Sequence, residues 1–211
     1  MKTKLTINDI LEVFPGSKII DDKPFEPIEH AGKFLSFLYG DWKKNFLGQY
    51  FEIRLLGDGY PEQWFYNSPD ELIAYDLPAL LENQAKGNYG IYFGVCPRVR
   101  KSGKNDDIKA ISALWADIDN GRSMGQLMSN NPKPDIVVFS GHGYHAYWKL
   151  KAPAQANELS SKTLRAIQKA VGSDSVSDFA RVMRLPGSLN LKDPKNPKLC
   201  KVVWMGEKNA V

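Results

Sequence analysis

The chain has 211 residues, 43% of them hydrophobic and 25% charged, with a formal net charge of +4. That length can bury a sizeable core, as one large domain or two small ones. No apolar stretch approaches the ~20 residues of a membrane span, and no membrane partner is expected.

The N-terminal stretch MKTKLTINDILEVFPG has no long apolar segment and no small-residue cleavage site, so no signal peptide is read and a cytoplasmic location is expected. Two cysteines far apart, Cys96 and Cys200, exclude a disulfide framework and a four-cysteine zinc site, and suit a reducing compartment. The modest positive charge permits a polyanionic partner without requiring one.

Residues 1–46 read as helical and aromatic-rich, with INDILEVF and AGKFLSFLYGDWKKNF on either side of a Pro-rich loop. QYFEIRLLG and EQWFYN predict two strands around the turn GDGYP. Ser68-Pro69-Asp70-Glu71 is a capping box with Pro at the first helical position; Pro78 should divide the helix that follows and Gly87 should end it. YGIYFGVCPRV and DIKAISALWADID predict strands on either side of a basic loop, RVRKSGKND, the second of them an interior strand. A short polar helical link leads to two more strands, DIVVFSG and YHAYWKLK. Leu164, Ile167 and Val171 recur at helical spacing, with Gly172 as the stop. The loop SDSVS then leads to a predicted short helix, DFARVMRL, and KLCKVVWMG predicts a last strand. Strands mixed with helices on a largely antiparallel sheet define an α+β fold.

Three stretches carry chemistry. The strand IKAISALWADID ends with Asp117 and Asp119 two residues apart. Residues i and i+2 of a strand project from one face, roughly 6–7 Å apart. Two carboxylates so placed suit hard divalent cations such as Mg2+ or Mn2+. The alternative is a solvated strand end running into an Asp-Asn-Gly turn.

The second stretch, VVFSGHGYHAYW, holds two of the three histidines of the chain, His142 and His145. Gly141 and Gly143 let the backbone turn sharply, and backbone N–H groups with Ser140 and the imidazoles would make an anion site. A hairpin turn with a surface histidine is the plainer reading.

In the third stretch, DSVSDFARVMRLPGSLNLKD, Ser177 can cap a helix from Asp178 that carries Arg181 and Arg184 and stops at Pro186-Gly187. Asn190 and Lys192 follow on an extended segment, and Arg184 and Lys192 are natural phosphate ligands. The plainer reading makes Asp178 and Arg181 a surface pair three residues apart.

Taken in order, these stretches resemble the archaeo-eukaryotic primase superfamily, and within it the small primase-polymerases of phages, plasmids and CRISPR-associated loci. That family carries a hydrophobic-D-hydrophobic-D/E motif, matched by Asp117 and Asp119. It has serine and glycine ahead of a histidine, matched by SGHGYH with His145. It has an acid shortly before R-x-x-R-L-P-G-S-x-N/H-x-K, matched by Asp174 and RVMRLPGSLNLK. The resemblance covers about residues 48–204, a catalytic α/β core behind the helical segment 1–46, within a single catalytic domain.

The resemblance implies an RRM-like sheet beside an N-terminal α/β module. It implies DNA primer synthesis and extension with two divalent metals on Asp117, Asp119 and Asp174, no zinc, and the incoming nucleotide held at Ser140, Gly141, His142, Gly143, His145, Arg184, Asn190 and Lys192. Its implied partners are a single-stranded DNA template, a primer strand, dNTP or NTP, and a helical priming domain or helicase outside this chain. One departure makes Asp178 a rival for the third acid: Ser173, not a hydrophobic residue, precedes Asp174.

Two other classes compete. A metal-dependent single-strand nicking initiator would also use histidines and tyrosines, but His142 and His145 are spaced to point to opposite faces of a strand. A single-strand-binding module would use the aromatics and the basic loop, and leaves the acids without a role. The basic loop itself, with Arg98, Arg100, Lys101 and Lys104, is expected to hold an initiating triphosphate or template phosphates.

Overall fold

The strand and helix signals assemble into two four-stranded antiparallel sheets that share one core. The computed structural model describes residues 26–57, 59, 61–119, 121, 123–173 and 178–206. The predicted helix INDILEVF, the candidate acid Asp174 and the candidate cap Ser177 lie outside these residues.

In chain order the helices are α1 (Pro27–Tyr39), α2 (Trp42–Asn45), α3 (Pro69–Tyr75), α4 (Leu77–Gly87), α5 (Met124–Met128) and α6 (Glu158–Val171). The strands are β1 (Phe51–Gly57), β2 (Glu62–Tyr66), β3 (Tyr89–Gly94), β4 (Ala110–Ile118), β5 (Ile136–Phe139), β6 (Tyr144–Gln155), β7 (Val182–Arg184), β8 (Leu189–Asn190), β9 (Lys198–Leu199) and β10 (Lys201–Met205). Sheet 1 has the order β2-β1-β3-β7 and sheet 2 the order β10-β5-β6-β4, with β8 and β9 forming a two-stranded ribbon.

Helix α1 wedges the two sheets together. Its Phe34 packs edge-on against Phe93 of β3 at 5.1 Å and against Tyr147 of β6 at 5.0 Å. Burying such a ring contributes roughly 1.5–3 kcal/mol, with an edge-to-face increment on top. Tyr39, at the end of α1, donates its hydroxyl to the carbonyl of Val95 at 2.7 Å.

The helix signals are largely observed. The Ser68 hydroxyl caps α3 by accepting the N–H of Glu71 at 3.3 Å, while the Glu71 carboxylate takes the N–H of Asn67 rather than that of Ser68. Pro78 sits in the first turn of α4, where a missing N–H costs nothing. Asn88, not Gly87, takes the left-handed conformation that ends α4, at φ 49°. Gly172 ends α6 at φ 65° as expected, and Leu164 and Val171 are buried against the rest of the protein.

Two expectations are corrected. DFARVMRL is not a helix: Asp178 to Ala180 form a turn, and Val182–Arg184 pair with β3 as the edge strand of sheet 1. Val182, Met183 and Leu185 read equally as an extended run, and the open edge of β3 supplies the hydrogen bonds that decide it. The strand bearing Asp117 is not interior: β4 pairs only with β6 among the described strands. Its continuous apolar run reflects burial of both faces, one under α6, the other in the shared core.

Candidate active site

The polar site grows out of the core where the two sheets part. Residues in register across an antiparallel pair project to one face. Trp115 lies opposite Tyr147, and one step further along the same face Asp117 lies opposite His145. The row therefore runs from the aromatic core to a carboxylate and an imidazole at the rim. Asp119 follows just after β4.

Asp117 has one hydrogen-bond donor and one close imidazole neighbour. Arg181 Nη2 donates to Oδ2 at 3.0 Å, and His145 Nε2 lies 3.5 Å from Oδ1. His145 is 5% exposed, and its Nδ1 has no hydrogen-bond partner among the described residues. Burial drives its pKa down to about 4; Asp117 pulls it up, but Arg184 and Arg181 add to the fall. The ring is therefore neutral near pH 7.

The turn between β5 and β6 is shaped by what its glycines lack. A Cβ on Gly143 would meet the carbonyl oxygen of Ile118 at 2.3 Å and Oδ1 of Asp119 at 2.8 Å, so only glycine lets the Asp119 segment approach. Gly141 has φ 105°, and a Cβ there would lie 2.7 Å from Cβ of Asn190. The Asn190 amide donates to the carbonyl of Ser140 at 2.7 Å and contacts His142 Nδ1 at 3.3 Å, while its oxygen accepts the N–H of Lys192 at 3.0 Å. Asn190 thus ties the RLPGSLNLK segment to the SGHGYH turn. Ser140 and Gly143 bond to each other in both directions, through the Gly143 N–H to the Ser140 hydroxyl and the Ser140 N–H to the Gly143 carbonyl. The turn accordingly offers side chains more than an open amide nest.

Arg184 stands opposite Tyr92 of β3. Its guanidinium lies over the Tyr92 ring at 4.6 Å, donates to the Tyr92 hydroxyl at 2.6 Å and donates to the carbonyl of Leu189 at 3.0 Å. A cavity of about 480 Å³ joins these groups, and its lining includes Asp117, Asp119, Ser140, His142, His145, Arg181, Arg184, Asn190, Lys192 and Tyr92.

The sequence-predicted residues divide clearly. The cavity gathers both acids of the first motif and the polar side chains of the second and third. It does not gather Asp178, which is exposed and caps the turn by accepting the N–H of Ala180 at 2.9 Å. It does not gather the basic loop. Arg98 is fully buried and paired with Glu52, which contradicts a phosphate-binding role for it. Arg100 pairs with Asp107, Nε to Oδ1 at 2.6 Å; the Ser102 hydroxyl and then Arg100 hold that carboxyl below its ordinary pKa. Lys101 lies over the Tyr50 ring, and Lys104 is exposed.

Arg181 and Tyr92 are cavity residues that the sequence reading did not place. Helical spacing would pair Arg181 with Asp178, whereas the extended backbone leading into β7 leaves it bonded to Asp117. Tyr92 gave one signal only, an aromatic set between Gly90 and Gly94 on β3.

The donor set fits hard divalent cations. Asp117 and Asp119 present carboxylate oxygens to one cavity, and neither Cys96 nor Cys200 joins them. Burial pushes both thiols up to about 12, which leaves them protonated and inert. Among the described residues no cluster of three or more His, Cys, Asp or Glu side chains is placed to hold a metal, so a third ligand has to come from elsewhere, and Asp174 lies outside the described residues.

No protein-family model and no curated protein matches the chain by sequence. Solved structures do match. The chain is similar to the AEP domain of the cyanophage S-2L primase-polymerase, with a TM-score of 0.59 and 15% identity over 81% of this chain and 88% of that one. It is similar to the catalytic domain of primase RepB' in complex with initiator DNA, with a TM-score of 0.59 and 19% identity over 86% of each chain. It also matches a longer RepB' primase chain at a TM-score of 0.60 and 18% identity, spanning 85% of this chain and 57% of that one. The α+β fold is similar to that of these primase and primase-polymerase catalytic domains.

Proposed function

We propose that this chain is a primase-polymerase that adds nucleotides to a DNA primer on a single-stranded template. The observation that carries the reading is convergence. Asp117, Asp119, His145, Arg184, Asn190 and Lys192, drawn from three separate sequence motifs, line one cavity on a primase-type fold. A 3′-hydroxyl would attack the α-phosphorus, forming one P–O bond and breaking the bond to the leaving pyrophosphate. Asp117, Asp119 and Asp174 would hold two divalent ions, Mg2+ or Mn2+. When bound, these lower the pKa of the hydroxyl and offset the charge on the pyrophosphate.

The chain's own groups handle the triphosphate. Arg184 brings a fixed guanidinium with donors left after those given to Tyr92 and Leu189. Lys192, exposed and lining the same cavity, adds a second cationic group. His145, whose pKa burial lowers to about 4, can offer an uncharged N–H to a phosphate oxygen. Primer extension with labelled dNTPs, in Mg2+ and in Mn2+, tests the reading; template-dependent products support it. A protein that binds single strands yet incorporates nothing with either metal would instead be a non-catalytic binding module.

Two site variants sharpen it. Arg184→Lys keeps the charge but cannot span Tyr92 and Leu189 while facing a phosphate. The apparent KM for dNTP should rise about tenfold, the equivalent of roughly one charge-assisted hydrogen bond. An unchanged KM would make Arg184 structural. For the third acid, Asp174→Asn should eliminate incorporation, whereas Asp178→Asn should only impair it, because Asp178 shapes the turn before Arg181 and does not line the cavity. The reverse ranking would move the metal site by four residues.

A further inference from the structure

Arg181 is the cavity residue whose contact conflicts with the proposed use of its partner. It bonds Oδ2 of Asp117, one of the carboxylates proposed to hold the cations. The other oxygen, Oδ1, faces Nε2 of His145. Both neighbours of Asp117, the guanidinium and the imidazole, would also suit a phosphate. The Arg181 side chain is 35% exposed and lines the cavity, so it has room to leave. Its backbone is fixed: its carbonyl accepts the N–H of Val95 at 3.2 Å, and its N–H reaches the carbonyl of Asp178 at 3.2 Å.

We propose that Arg181 is an exchange residue that occupies Asp117 in the nucleotide-free protein and transfers to phosphate when nucleotide and metal enter. The proposal rests on the nucleotidyl-transfer reading above. Two like carboxylates at one rim repel, and a guanidinium on one of them relieves that repulsion. A divalent cation has to displace this guanidinium. A polyphosphate, which carries more charge than one carboxylate, draws the guanidinium away and clears Asp117. Each ligand thereby removes an obstacle to the other, and by linkage the effect is reciprocal. The fixed backbone confines the exchange to a swing of the side chain.

The consequence is a metal affinity that is held low until nucleotide arrives, and it can be measured without turnover. Mn2+ binding by electron paramagnetic resonance, with no nucleotide present, should be about fivefold tighter in Arg181→Gln than in the wild type, the scale of a partly exposed ion pair. Lys192→Gln removes the same charge from the same cavity without freeing Asp117, and should tighten Mn2+ binding clearly less. In EDTA, a fluorescent dNTP should bind Asp117→Asn more tightly than the wild type, and the double variant Asp117→Asn/Arg181→Gln should lose that gain. Thermal melting of each variant establishes that it is folded. If the wild type binds Mn2+ and Arg181→Gln binds it no more tightly, or no more so than Lys192→Gln, the exchange is overturned while the polymerase reading stands. If the wild type binds neither Mn2+ nor dNTP, both fall together.

Discussion

Replacing Asp117 or Asp119 by alanine is expected to abolish template-directed incorporation in primer extension, with either metal, and to leave the fold intact. Both acids project into the cavity rather than into the core, and the Asp117 side chain is 23% exposed. Its ion pair with Arg181 is part-exposed, so its loss should cost at most about 1 kcal/mol, offset in part by relief of repulsion between the two acids. Melting temperatures should therefore stay within a few degrees of wild type, roughly 2–4 °C per kcal/mol at this chain length. Incorporation by the double alanine variant, in a preparation cleared of contaminating polymerase, would remove the acids from the chemistry and with them the two-metal reading.

The same residues show what a linear sequence can and cannot disclose about this site. Asp117 and Asp119 were legible because a strand has a period of two, and one apolar run that breaks into alternating acids implies a shared face. The SGHGYH turn was legible because glycines mark positions where side chains cannot fit; Gly143 against Ile118 and Gly141 against Asn190 are such positions. The apolar face of α6 and its C-terminal stop followed from apolar spacing and Gly172. What failed was the state of a short segment. Asp178 to Leu185 have helical charge spacing and extended hydrophobic content at once, and only the free edge of β3, some ninety residues earlier in the sequence, selects the strand. Once that register was missed, the partner of Arg181 was missed too. Burial misled in a similar way at β4, where cover by α6 on one face gives an edge strand the composition of a central one.

The basic loop carries the clearest lesson, because a cluster of charges does not announce which of them leave the solvent. Arg98 begins that loop, yet Tyr50 and Arg98 bond each other's backbone in both directions, N–H to carbonyl at 2.7 and 2.9 Å, and this bridge turns the side chain inward. Its Nε donates to Oε2 of Glu52 at 2.7 Å, and its Nη2 also reaches the carbonyl of Ala180 at 3.1 Å. The second oxygen of Glu52 accepts from Arg54 at 2.6 Å and from Gln63 at 3.1 Å. Both side chains of the Glu52–Arg98 pair are fully shielded from solvent. Gly94 completes the enclosure, since a Cβ there would lie 2.9 Å from the Glu52 carboxylate. Arg98→Ala leaves a buried carboxylate short of its main partner, and should cost about 3–5 kcal/mol of stability in urea unfolding. Arg98→Lys should recover little, because one ammonium cannot span Glu52 and Ala180 as the fork does. Glu52→Leu combined with Arg98→Met should recover much of the loss, since removing both charges is far less costly than stranding one. Primer initiation and extension should decline together in Arg98→Ala, in proportion to the folded fraction. Full stability with a selective loss of initiation would return Arg98 to the phosphate-binding role that its place in the sequence suggests.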